Sequence, residues 1–175
     1  MQQGANPNLQ IANGRSNLVV KMGFGGDSAV SLAARQADPW YLTTVIKYKG
    51  NVNLINPLQG YTPIFSSIQA RQFQQTEILI AAGADLNFQD SNGNTPMMYA
   101  AMAARYDLVS KMLAAGADPK VENYARQTIV DYIKRSAGKL NQELEIYRQR
   151  VIEALRGKGI FLYGSADGKM PEPFK

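Results

Sequence analysis

The 175-residue chain is long enough for one compact domain or for four to five short helical repeat units, and with 45% hydrophobic and 19% charged residues it can bury a core. It has neither Cys nor His, which excludes disulfides, Ser-His and Cys-His pairs and the usual zinc ligand sets, and removes the commonest acid–base side chain near neutral pH. The net charge of +5 is uneven: residues 120–175 hold 11 Lys/Arg against 7 Asp/Glu, an excess that favours acidic partners without demanding nucleic acid.

In chain order the first element is a motif, Gly4-Ala5-Asn6-Pro7-Asn8, followed by a segment with Asn13-Gly14 inside it. Met1-Gln2-Gln3 ahead of it reads as the last turn of a second helix. This predicts that the native gene has upstream residues and that the N-terminal edge exposes apolar surface. The distance from Gly4 to Lys49 is a repeat step of 33 plus 12 residues. The excess falls at about residues 17–27, an insertion, and insertions in repeat stacks map to loops, often on the binding face. Within it, Gly23-Phe24-Gly25-Gly26-Asp27-Ser28 hints at a phosphate loop, but the Gly-Lys-Ser/Thr ending is missing. A flexible insertion is the better reading. Trp40 follows Pro39 at the head of a second helix and is assigned to the core.

Further on the motif returns as Lys49-Gly50-Asn51-Val52-Asn53, Gly83-Ala84-Asp85-Leu86-Asn87 and Gly116-Ala117-Asp118-Pro119-Lys120. Thr62, Thr95 and Thr128 recur every 33 residues, the first two before Pro. Thr-Pro starts a helix, because the hydroxyl can accept from an orphan N–H and Pro fits the first helical position. Met97, Ala100 and Ala101 then face a core. A second helix is predicted from Thr76 to Ala82, with Ile78, Leu79 and Ala82 inward. Gly83 and Gly116 suit a left-handed position past a helix end, and Asn-Gly pairs suit tight turns. Leu140, Leu144, Tyr147, Val151 and Leu155, at spacings of 3 and 4, predict one long amphipathic helix over about residues 140–156. Residues 158–175 read as a tail, in which Ile160–Tyr163 forms a short strand or packs on the long helix.

These motifs resemble the ankyrin repeat, over about residues 1–157. The resemblance implies an all-α solenoid of about four helix pairs with a long C-terminal capping helix. The family's His is replaced by Ser31, Phe65, Met98 and Asp131, so its usual inter-repeat hydrogen bonds are expected to be missing; Arg126 replaces the turn Gly in the last unit. In the resembled fold the loop tips and one face of each first helix line a concave surface. That places Tyr61, Phe65, Ser66, Gln69, Met98, Tyr99, Met102, Tyr124 and Tyr132 on or near it. Tyr, Phe and Met favour interface centres, and for each residue burial between repeats competes with partner contact. Phe65 and Met98 are read as packed, and Tyr99 and Tyr132 as outward. The candidate partner-binding set is Met22, Phe24, Tyr61, Ser66, Gln69, Tyr99, Met102, Tyr124, Arg126 and Tyr132.

The acids Glu143, Glu145 and Glu153 share the long helix with Arg148, Arg150 and Arg156. They are read as a solvated face with Glu145–Arg148 and Glu153–Arg156 pairs, not as an acid–base site. Basic residues there have only Tyr147 as an interleaved aromatic, without the stacking platform that nucleic acid would use. The expectation is a protein-binding module, not an enzyme, with no cofactor, no metal, no small-molecule substrate and no nucleic acid. No apolar run approaches the 18 residues of a membrane span, and the chain as given is expected to be cytoplasmic. A full-length form with an upstream export signal would be periplasmic or a lipoprotein. The terse repeats, the insertion and the long terminal helix look like bacterial ankyrin-repeat immunity or accessory proteins that bind toxic effectors, including phospholipases of type VI secretion. The alternative is an ankyrin effector or regulator with another protein target.

Overall fold

The structure is a computed structural model, and it describes residues 6–10, 25–136, 138 and 140–162. Among these residues it contains eight helices and no strand. They are α1 (Ala29–Ala34), α2 (Pro39–Lys47), α3 (Pro63–Gln69), α4 (Phe73–Ala81), α5 (Pro96–Met102), α6 (Tyr106–Ala114), α7 (Ile129–Arg135) and α8 (Gln142–Gly157). The helices form two rows. In the inner row α1, α3, α5 and α7 pack on one another in order; in the outer row α2, α4 and α6 do so, and α8 packs chiefly on α6. The expected helix pairs and terminal helix are present, with α8 shifted two residues later at its start. Residues 1–5, 11–24 and 163–175, which include the N-terminal turn and most of the insertion and tail, lie outside the described residues.

Each inner helix starts at the repeated Ser or Thr. Ser28 and Thr95 accept the backbone N–H of Ser31 and Met98, and Thr128 that of Val130. Thr62 departs from the expectation. The N–H of Phe65 goes to the Thr62 carbonyl at 3.1 Å, tightening the first turn, and the Thr62 hydroxyl is buried without a partner. The core lies between the rows, with Leu42, Ile64, Phe65, Leu79, Met97, Met98, Leu108, Met112 and Ile129 all fully buried. The second helix of the middle unit begins at Phe73, not Thr76. Leu79 and, partly, Ile78 face the core as expected, whereas Ala82 is the exposed C-cap.

Trp40 is 62% exposed and is not core. Its repeat equivalents Gln74 and Asp107 are also not buried, so the position points outward on every outer helix. Leu42 carries the inward face of α2.

Arg148 overturns the reading of the long helix as a solvated charged face. It is 5% exposed, and its Nε donates to the Ile133 carbonyl at 3.1 Å while Nη1 pairs with Glu145 at 2.7 Å. The Glu145–Arg148 pair thus forms partly inside. Among the described residues Glu153 and Arg156 do not pair. Ile160 and Leu162 pack against the core after α8.

Gly83 and Gly116 adopt φ of +83° and +96° past α4 and α6, as the left-handed helix exit predicts. The first copy exchanges the two residues. Lys49 takes the left-handed position with φ +63°, and Gly50 follows where Ala84 and Ala117 stand. A Cβ on Gly50 would lie 2.7 Å from both Val30 Cγ2 and Val45 Cγ1, so the close approach of chain and core explains the Gly there.

Candidate partner-binding face

The motif loops join the units by a ladder of asparagine side chains. Asn8 Oδ1 accepts the N–H of Asn51, Asn53 Oδ1 that of Asp85, and Asn87 Oδ1 that of Asp118, each at 2.7 Å. The first polar residue of each motif turns its own loop: Asn51, Asp85 and Asp118 each accept the N–H two residues on at 2.9 Å. Lys120 stands where the next rung would be. Hydrogen bonds between units are therefore made at the loop tips. Of the residues at the His position, Phe65 and Met98 are packed as read, Ser31 meets Ser28, and Asp131 closes a capping box with the Thr128 N–H at 2.9 Å.

Between the motif and each inner helix the chain makes a hairpin held by one buried Asn or Asp. Asp90 N–H donates to the Asn94 carbonyl and Asn123 N–H to that of Gln127, and the side-chain oxygens of Asp90 and Asn123 each accept two further N–H groups inside the turn. Asn56 does the same in a turn one residue longer, closed by Gly60 N–H to the Asn56 carbonyl at 2.8 Å. Its amide also reaches the Gly25 carbonyl and Asp27 Oδ1. Gly25 to Asp27 are buried against it, so this end of the insertion is packed. A Cβ on Gly26 would lie 2.5 Å from Asn56 Oδ1.

Repeat position explains where the candidate residues fall. Tyr99 and Tyr132 occupy the same turn of α5 and α7. Both were expected outward, and both are half-buried, because their hydroxyls reach back to the hairpins. Tyr99 donates to Asp90 Oδ2 at 2.7 Å, and its ring meets Phe65 edge-on at 5.1 Å. Tyr132 shares its hydroxyl with Asn94 and Asn123, each at 3.0 Å. Ser66 holds the equivalent place in α3 and is 1% exposed; Pro63 to Ile68 are all buried there between α1 and α5, leaving Ser66 no outward surface.

Burial, and then the hydrogen bond to the Asp90 carboxylate, pushes the Tyr99 phenol up to about 12. Tyr61 hydrogen-bonds to Gln69 and Arg35, and Gln69 reaches Tyr99. A polar chain therefore crosses three units from Asp27 and Arg35 through Tyr61 and Gln69 to Tyr99 and Asp90. Burial raises the Asp27 carboxyl above its ordinary value. Arg35 lies 3.8 Å from Oδ2, which lacks a hydrogen-bond partner.

The exposed side chains on this face are Gln69, Met102 at 51% exposure, Tyr124 at 76%, and Arg126. Arg126 sits at a hairpin tip with φ +60°, where Gly60 and Gly93 stand in the earlier units. Leu58 joins them, 50% exposed; its signal was the one-residue lengthening of its hairpin. Met22 and Phe24 lie outside the described residues. The arrangement offers apolar and hydrogen-bonding contacts on a hydrogen-bonded frame. Among the described residues no three acidic side chains gather where they could hold a metal ion.

A family model for ankyrin repeats, described as three copies, matches residues 30–123. The chain belongs to the ankyrin-repeat family. The matched span runs from Val30 in α1 to Asn123 in the last hairpin, and so includes the inner row through α5 and two rungs of the asparagine ladder. No curated protein matches the chain. Ankyrin repeats are protein-binding modules, and the side formed by hairpins and first helices is the concave side of the ankyrin fold. No helix among the described residues is long and apolar enough to cross a membrane.

Proposed function

We propose that the protein binds another protein across its hairpin and inner-helix face, and that it serves as an immunity or accessory partner that neutralises a bacterial toxic effector such as a secreted phospholipase. The observation that carries the binding reading is the row of Leu58, Met102 and Tyr124, each at least 50% exposed, on hairpins and helices whose backbone is tied across units. Large side chains held on a rigid frame lose little freedom on association. The narrower immunity reading rests on the terse repeats, the insertion in the first unit and the long terminal helix, which resemble bacterial ankyrin immunity proteins. Affinity capture from the native cell followed by mass spectrometry identifies the partner. Co-expression then tests the role: the partner alone is expected to arrest growth, and this chain to restore it. A captured partner that is harmless alone, or that remains toxic beside this chain, contradicts the immunity reading and leaves the binding face to be tested on its own.

A further inference from the structure

We propose that the C-terminal end of this face, built from Arg126, Arg135, Tyr124 and Met102, takes an acidic, extended segment of the protein partner. The inference rests on the protein-binding reading and adds the chemistry of what is bound. The carboxylates of the face are engaged within the fold. Asp90 accepts from Tyr99 and from two hairpin N–H groups, Asp131 closes the α7 cap, and Asp27 is buried beside Arg35 and Asn56. The guanidiniums at the C-terminal end differ. Arg126 and Arg135 are exposed, and neither is ion-paired among the described residues. Arg135 lies over the Tyr132 ring at 5.2 Å, which orients the planar fork without neutralising it.

Repeat position places the two arginines on the binding side. Gln69, Met102 and Arg135 are the last residues of α3, α5 and α7, one row along the stack, and Arg126 tops the adjoining hairpin. Asp118 and Glu122 are the exposed acids of the loop ahead of α7, and Asp118 is engaged in its own motif turn, accepting the Lys120 N–H at 2.9 Å. Arg126 precedes α7 and Arg135 ends it, so one segment reaches both only when extended, and each guanidinium can hold a carboxylate with two parallel hydrogen bonds. Tyr124 and Met102 are the exposed large apolar side chains of this end.

The test is an array of synthetic decapeptides with Glu, Gln or Lys at positions 3 and 7 around a central Leu, bound to the intact chain and read by fluorescence anisotropy. A single-stranded DNA dodecamer serves as a second anionic probe. The Glu peptides are expected to bind at least tenfold tighter than the Gln and Lys sets. The Arg126→Glu/Arg135→Glu variant is expected to lose that preference, and Arg156→Glu on α8 to keep it. The preference is also expected to shrink between 50 and 200 mM salt. Equal binding of all three sets, preference for Lys, retention in the double variant, or tighter binding of the dodecamer each overturns the proposal. So does the absence of any peptide binding. In that last case a captured protein that still needs Tyr124 and Met102 leaves the protein-binding reading standing.

Discussion

Thr62 and Thr95 occupy the same repeat position with opposite energetic consequences. The Thr95 hydroxyl accepts from Met98 N–H, whereas the Thr62 hydroxyl is buried and unpartnered. Replacing both by Val in separate variants keeps shape and removes the hydroxyl. Thr95→Val is expected to lose about 1 kcal/mol with its cap. Thr62→Val is expected to be neutral or to gain up to about 1 kcal/mol, since an unsatisfied buried polar group is itself costly. Urea denaturation of the two variants checks the opposed signs. Tyr99 gives a second test. Its phenol titrates near 12 instead of 10, so the folded state keeps the proton where the unfolded chain has lost it. The stabilisation is complete below pH 10 and falls as pH rises from 10 towards 12. Thermal melts between pH 9 and 12 are expected to show this decline in the native chain and a flatter one in Tyr99→Phe. An equally steep decline in both would contradict the account. At Lys49 the left-handed backbone, φ +63°, suits Gly better, and Lys49→Gly is expected to add about 1 kcal/mol.

Among the elements, α8 shows what periodicity reads and what it misses. Its apolar spacing located the helix and the buried Val151 and Leu155. Arg148 lies on the same stripe, four residues after Leu144 and three before Val151, but its charge argued for solvent. Its partner, the Ile133 carbonyl in the last turn of α7, becomes visible only once α7 and α8 are packed. Arg148→Ala would leave that carbonyl with the Ser136 hydroxyl as its side-chain donor and open a gap beside it, and is expected to cost about 2–3 kcal/mol. Hydrogen exchange is the direct measurement. Amides of residues 142–157 should lose protection in Arg148→Ala while α3 and α5 keep theirs, and uniform loss across the fold would mean that α8 is not a separately docked element. Trp40 was misassigned for a related reason. Its size argued for burial, yet comparison with Gln74 and Asp107 at the same repeat position points outward, and position outranks hydrophobicity in a repeat.

At the scale of the molecule, the helix starts, the left-handed helix exits and the 33-residue step were legible because each is a local backbone requirement written in one or two residue types. The candidate face was legible only in outline. Periodicity selected the right helices, but whether Tyr99 or Tyr132 faces outward depends on whether a hairpin Asp or Asn accepts its hydroxyl, a contact nine residues away in sequence. The asparagine ladder was hidden for the same reason. The residues were read as turn formers, and their second role joins neighbouring units more than 30 residues apart. The central claim is that this face, and not the outer row, holds the protein partner. The most direct measurement is binding of the captured partner by calorimetry to Met102→Ala/Tyr124→Ala beside Trp40→Ala, which removes an equally exposed aromatic from α2. The account predicts a loss of at least tenfold in the first and native affinity in the second, with unchanged melting temperatures. Loss of binding in Trp40→Ala, with Met102→Ala/Tyr124→Ala unaffected, would contradict it.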